Sequence, residues 1–229
     1  NVVMLPQCSF LSEVSRALQI ADALTERGAH VVFASRGGTY AHLITDAGHD
    51  LRRLDPAATA DSERRFLDAI LSIGPFTSRD FFTDDELRSA IDSEVALLRE
   101  IGTDIVVTGF TLSAYVSSRM VGVPLATDHA GSFVPPVLAH GLCPVPVNPP
   151  DSLAKAPPPL QQWMANRVPP LLRGPVKQLN RHARERGDDP LSGFMGLPLL
   201  LSRWSLCPVY AGRSRIITVT GPGVPGRSP

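Results

Sequence analysis

Asp128 and His129 stand side by side, and Ser132 follows shortly after. These residue types suit acid–base work on a hydroxyl. Neighbours in an extended segment point to opposite sides, so a direct Asp–His bond is awkward, and the plainer reading is that the pair ends a strand. The ends of parallel strands are also where such sheets bind ligands, so His129 is read as a pocket residue rather than as a triad member. Phe76, Phe81 and Phe82 share a loop with Gly74 and Pro75, between two helical segments. Three aromatics in such a loop suit a pocket wall or lid as well as they suit an ordinary core. Gly221, Gly223 and Gly226 satisfy the spelling G-x-G-x-x-G, but Pro222 and Pro225 interrupt it. A phosphate loop needs its glycines to end a strand and open a helix, so this segment reads as a Gly/Pro tail. No Walker A sequence, G-x-S-x-G elbow or H-E-x-x-H occurs. Cys8, Cys143 and Cys207 form neither C-x-x-C nor a metal-ligand spacing, and a reduced, cytoplasmic compartment is expected. His30, His42, His49 and His182 read as surface or packing residues.

The elements that would position these residues alternate. Val2 to Pro6 reads as a buried strand. Val14, Leu18, Ala21 and Leu24 recur at helical spacing, and Gly28 stops the pattern. His30 to Ala34 is a second strand, Leu43 and Ile44 lie in a short helix, and Asp50 to Asp55 is a weaker third strand. Helices are expected over Arg64 to Ile73 and over Asp84 to Ile101, the latter with Leu87, Ile91, Val95 and Leu98 on one face. Asp104 to Thr108, Thr111 to Val121 and Val123 to Thr127 repeat strand, helix, strand. This order implies right-handed parallel crossovers, an α/β fold with a doubly wound parallel sheet. Beyond Asp128 prolines dominate. Helices are expected over Leu160 to Val168 and Pro175 to Arg186, a closing helix and strand near Leu199 to Leu201 and Ser205 to Cys207, and one more strand over Ile216 to Val219.

Composition narrows the classes. Hydrophobic residues make up 43% and charged residues 19% of the 229, ordinary globular usage, so disorder is excluded for the chain as a whole. Lys+Arg and Asp+Glu are both 22, and a nucleic-acid binder would show a basic excess. No apolar run approaches the ~20 residues of a membrane span, and the first residues lack the pattern of a signal peptide. The chain begins at Asn1, so its start is not expected to be the start of the gene.

Four stretches, in order, carry a resemblance: Leu18 to Ala34, Arg36 to Gly48, Asp104 to Leu125 and Pro175 to Arg184. Together they resemble the N-terminal half of a GT-B glycosyltransferase, closest to the bacterial antibiotic and macrolide branch of glycosyltransferase family 1. The likeness covers roughly residues 2–210. It implies a Rossmann-like acceptor-binding domain over 1–210, with 211–229 as a Gly/Pro-rich tail or truncated interdomain linker. It also implies a C-terminal donor domain that this chain lacks. The implied activity is transfer of a sugar from a nucleotide-sugar donor to a hydroxyl of a natural-product or lipid-like acceptor. No tightly bound cofactor and no metal are implied. The implied partners are a small hydrophobic acceptor and the donor domain.

In the family, a histidine after the first strand deprotonates the acceptor and an aspartate ending the fourth strand orients it. Here the histidine position falls on Glu13, preceded by Ser12, the motif's proline falls on Arg16, and the aspartate position falls on Gly109. Glu13 is therefore the candidate catalytic residue, although an acid in the first turn of a helix also simply favours the helix dipole. The expectation is an ionised Glu13, exposed or capping, and a weak base. Candidate acceptor contacts are Ser9, Phe10, Ser12, Phe76, Phe81, Phe82, Gly109, Phe110, His129 and Phe133. The alternative is a degenerate, non-catalytic binding or partner protein, which the missing His, Asp and donor domain favour for this chain alone.

Overall fold

The structure is a computed structural model. It describes residues 1–71, 79–128, 145, 154–167, 174–190 and 217–218. Its strands are β1 (Val2–Met4), β2 (Val31–Ser35), β3 (Leu51–Arg53), β4 (Ile105–Thr108), β5 (Leu125–Thr127) and β6 (Ile217–Thr218). Its helices are α1 (Leu11–Thr25), α2 (His42–Asp46), α3 (Ala60–Leu71), α4 (Asp84–Ile101), α5 (Ala114–Val121), α6 (Pro158–Arg167) and α7 (Gly174–Glu185).

The six strands form one sheet in the order β3-β2-β1-β4-β5-β6, and every pairing is parallel. This is the Rossmann-like, doubly wound α/β order expected from the alternation of elements. Side chains alternate between the two faces, and the core divides accordingly. Val3, Ala34, Val106 and Leu125 pack with α3, α4, α5 and α7 on one face. Val2, Met4, Phe33, Val107 and Ala126 pack with α1 and α2 on the other. Because both faces are covered, the strands read as continuous apolar runs.

Local signals set the ends of the helices. Thr83 and Glu86 form a reciprocal capping box at the start of α4, and Gly102 closes it in the left-handed conformation. The α7 helix docks on the same face. Gln178 Nε2 donates to the carbonyl of Phe82 at 2.8 Å and to Asp84 Oδ1 at 3.1 Å. Arg181 also pairs with Asp84, and Arg186 pairs with Asp92 at 2.9 Å. The Gln178 bond is the leading reason that the Asp84 carboxyl sits below the ordinary range. The expected helix and strand near residues 199–207 lie outside the described residues.

The loop after β1 is held from below by Gly38. Tyr40 N–H donates to the Cys8 carbonyl at 2.9 Å. A Cβ on Gly38 would come within 2.7 Å of the Cys8 carbonyl carbon and 2.9 Å of Ser9 N, at a φ of +133°. Gly38→Ala should therefore push the β1–α1 loop away and destabilise the chain by about 1–3 kcal/mol, as overpacking does. Urea denaturation of the chain and this variant checks it, with an unchanged midpoint as the contrary result.

Candidate functional site

In a doubly wound sheet the crevice opens where the strand order reverses, beyond the carboxyl ends of the strands. Here that point lies between β1 and β4. The chain leaving β1 reaches Phe10 and enters α1 at once, which places Glu13 in the first turn. Gly109 and Phe110 follow β4, and Asp128 follows β5.

Glu13 turns inward. It is 4% exposed, and no side chain caps the start of α1. The Gln7 peptide N–H donates to Glu13 Oε2 at 2.6 Å. Glu13 Oε1 is buried without a hydrogen bond among the described residues. A Cβ on Gly109 would sit 2.1 Å from Glu13 Oε1 and 2.7 Å from Asp128 Oδ1. The Glu13 carboxyl thus fills the space above Gly109, and Asp128 reaches the same point. Arg16, one turn along α1, donates to Asp128 Oδ2.

Burial first, and then the charge of Asp128, push the Glu13 carboxyl from its ordinary value near 4.5 up to about 8. The Gln7 N–H, Arg16 and the Phe110 N–H pull the other way without offsetting this. The expectation of an exposed, ionised or capping Glu13 is therefore corrected. An interaction with the helix dipole contributes about 0.3–1 kcal/mol, whereas desolvating a carboxylate costs several. The aspartate that the resemblance places at 109 has no room, because Glu13 occupies its volume.

The aromatic candidates meet around a residue the sequence reading did not single out. The Phe66 ring lies 6.2 Å from Phe10, 5.2 Å from Phe81, 5.8 Å from Phe82 and 5.8 Å from Phe110, centroid to centroid. Its signal was the apolar face of α3, where Phe66, Ala69 and Ile70 recur at helical spacing. Phe81 and Phe82 are core residues of this cluster. Ser9 Oγ donates to Glu63 Oε1 at 2.7 Å and so does not serve Glu13. Ser12 is exposed. Phe76, His129, Ser132 and Phe133 lie outside the described residues.

Two further groups, one half-buried and one buried, line the strand ends. Arg36 follows β2, donates from Nε to the Pro56 carbonyl at 2.9 Å and stacks 5.5 Å from the Phe82 ring centre. Burial pulls its pKa down. Glu94 on α4 is 1% exposed and accepts from Ser113 Oγ at 2.5 Å and Ser117 Oγ at 2.6 Å. Burial pushes its carboxyl up to about 7 despite those hydroxyls and Arg36. Cavities of about 20 and 30 Å³ share Gln7, Arg36 and Phe82 as walls. Each is large enough for about one water. A larger opening of about 590 Å³ lies between the edge strand β3 and α4. Within it Arg52 pairs with Glu100 and Arg88 with Asp85, while Asp92 pairs outward with Arg186.

Among the described residues no group of three or more His, Cys, Asp or Glu side chains is placed to hold a metal ion. No helix among them is long and apolar enough to cross a membrane.

No family model matches the chain, and no curated protein matches it in sequence. Among solved structures the chain is similar to the glycosyltransferase SnogD from Streptomyces nogalater, at 15% identity and TM-score 0.48, over 82% of this chain and 40% of that one. It is similar to the Streptomyces sp. SF2575 glycosyltransferase SsfS6, solved with thymidine diphosphate, at 16% identity and TM-score 0.46, over 82% of this chain and 46% of that one. MurG from Acinetobacter baumannii is similar over 56% of this chain and 34% of its own, at 17% identity and TM-score 0.42. The chain spans less than half the length of each. At such TM-scores these likenesses carry no weight for function.

Two outcomes follow from the packing. Gly109→Ala drives a methyl into Glu13 and Asp128 and should cost about 1–3 kcal/mol. Adding Glu13→Ala should recover part of that loss, a non-additivity read from a double-mutant cycle; strict additivity would refute the close packing. Glu94 has a raised folded-state pKa, so its contribution is complete below the unfolded value near 4.5 and lost as pH rises through about 7. Glu94→Gln should flatten the fall in stability across that window, as measured by denaturation at a series of pH values.

Proposed function

We propose that this chain is the acceptor-binding half of a GT-B glycosyltransferase, with Glu13 in the role of general base. The full protein moves a sugar from a nucleotide-sugar donor to a hydroxyl of a natural-product or lipid-like acceptor. Residues 1–210 form the acceptor domain, whose sheet takes its last strand from 217–218, and the remainder leads towards a donor domain. The protein is bacterial and cytoplasmic and uses the nucleotide sugar as co-substrate, with no tightly bound cofactor.

The observation that carries this reading is the Glu13 carboxyl, buried at the switch point with a pKa pushed up to about 8. The ordered resemblance of four sequence stretches supports it. A carboxylate of ordinary pKa is a poor base for an alcohol, and one tuned towards 8 is much better matched to the task. In the proposed step, ionised Glu13 takes the acceptor hydroxyl proton. The acceptor oxygen bonds to the anomeric carbon, and the nucleoside diphosphate leaves with the electron pair of the broken bond. Phe10 and Phe110, partly buried, supply apolar surface beside the crevice, and the buried Phe66, Phe81 and Phe82 back them. His129 and Phe133 remain proposed acceptor contacts.

The burial of Glu13 also favours a second reading, a non-catalytic acceptor-binding or partner protein in which the carboxyl only ties the loops together. Transfer assays on the full-length protein separate the two. With a nucleotide sugar and hydrophobic alcohols, Glu13→Gln should lower kcat by about 100-fold or more with acceptor affinity retained. A loss of only a few-fold removes Glu13 as the base, and acceptor binding without turnover by the unaltered protein establishes the second reading.

A further inference from the structure

Two carboxyl side chains converge over Gly109, and a guanidinium holds one of them from the far side. Glu13 Oε1 and Asp128 Oδ1 crowd the same point, lying 2.1 Å and 2.7 Å from the position of a Cβ there. The two oxygens are therefore less than about 5 Å apart, a range in which one carboxylate disfavours ionisation of the other. Arg16 is the cation in contact, and it reaches Asp128 through Oδ2. Two carboxylates and one guanidinium leave one negative charge unmatched, and the desolvated member, Glu13, is the one that bears the cost of ionising, since Asp128 and Arg16 are partly exposed. Glu13 Oε1, on a side chain 4% exposed, completes no hydrogen bond among the described residues, although the Phe110 N–H is close enough to the carboxyl to pull its pKa down. Two carboxyl oxygens that face each other at this range are stabilised when one proton is held between them.

We propose that Glu13 and Asp128 hold a single proton between them, carried on Glu13 Oε1 and donated to Asp128 Oδ1, with Arg16 keeping the negative charge on Asp128. This makes the cluster neutral and gives the orphaned oxygen its partner. As a statement about regulation it rests on the reading of Glu13 as base: the base is masked while the proton stays and is released when the proton leaves to solvent.

The other titratable groups near Glu13 do not compete for this proton. Cys8, on the loop after β1, is fully buried, and burial pushes its thiol up to about 11. Tyr115 on α5 is 3% exposed, and burial, Glu13 and Asp128 raise its phenol further above the ordinary value. Both keep their own protons through the pH near 8 at which Glu13 titrates. Ionising Glu13 leaves two facing carboxylates against Arg16, so the folded state resists it.

Carbon-13 carboxyl NMR of the 229-residue chain, labelled at glutamate, reads the proton directly. Glu13, assigned through its loss in Glu13→Gln, should titrate near 8. Asp128→Asn removes the facing charge and should lower that midpoint by about one unit or more, whereas Arg16→Gln should raise it. A midpoint near the ordinary carboxylate value, or variants that shift it in the same direction or not at all, overturns the proposal. If either variant does not fold, the pH dependence of stability decides. Glu13 has a raised folded-state pKa, so its contribution is lost as pH rises from about 4.5 through about 8, and Glu13→Gln should abolish that fall. Parallel curves for the two proteins overturn the proposal. A raised midpoint with opposed shifts in a protein without transferase activity upholds the shared proton and removes only the base reading.

Discussion

One buried carboxyl ties together three segments that are remote in sequence. Glu13 takes the Gln7 N–H from the loop after β1, fills the space over Gly109 after β4 and faces Asp128 after β5. Its own helix supplies Arg16 to hold Asp128. Each partner restricts the others. Gly109 has no alternative while Glu13 points inward, because a Cβ would stand 2.1 Å from Oε1. Asp128 remains tolerable beside Glu13 because Arg16 lies within reach. The switch point of the sheet is therefore built from charge as much as from apolar packing.

The opposite face of the sheet shows the same principle in another form. Glu94 is buried between α4 and α5, with Ser113 and Ser117 each donating a hydroxyl. Arg36 lies close enough to lower its pKa and is itself stacked on Phe82. Phe66 then gathers Phe10, Phe81, Phe82 and Phe110 into one aromatic group beneath the strand ends. The result is an apolar layer with isolated polar groups set into it, and each of the two cavities within it is large enough for about one water.

Relative to the family it resembles, this chain has exchanged volume and charge between two positions. The resemblance assigns a histidine to position 13 and an aspartate to position 109. The chain carries Glu13 and Gly109 instead. The longer acidic side chain now comes from the helix and occupies the space that the strand-end aspartate would fill. The second carboxylate comes from Asp128, one strand further along the sheet. Position 13 thus holds a carboxyl whose pKa is set by burial and by a second carboxyl.

Sequence periodicity alone determined the sheet and its helices. The apolar runs over Val2 to Pro6, His30 to Ala34, Asp104 to Thr108 and Val123 to Thr127, and the helical spacing from Asp84 to Ile101, overlap those elements of the structure to within two residues at each end. Hydrophobic pattern and caps are local signals, so they survive without knowledge of the fold. The state of Glu13 was not legible in this way. Local logic placed an acid in the first turn of a helix and expected it to meet solvent and the dipole. Its burial depends on Gly109 having no side chain, and its electrostatics depend on Asp128, which stands 112 positions beyond Arg16. Likewise, Phe66 was an ordinary apolar helix residue until tertiary packing brought four other rings to it. Tertiary structure decided both, because desolvation and pairing are set by neighbours in space, and the chain supplies those neighbours from the ends of three different strands.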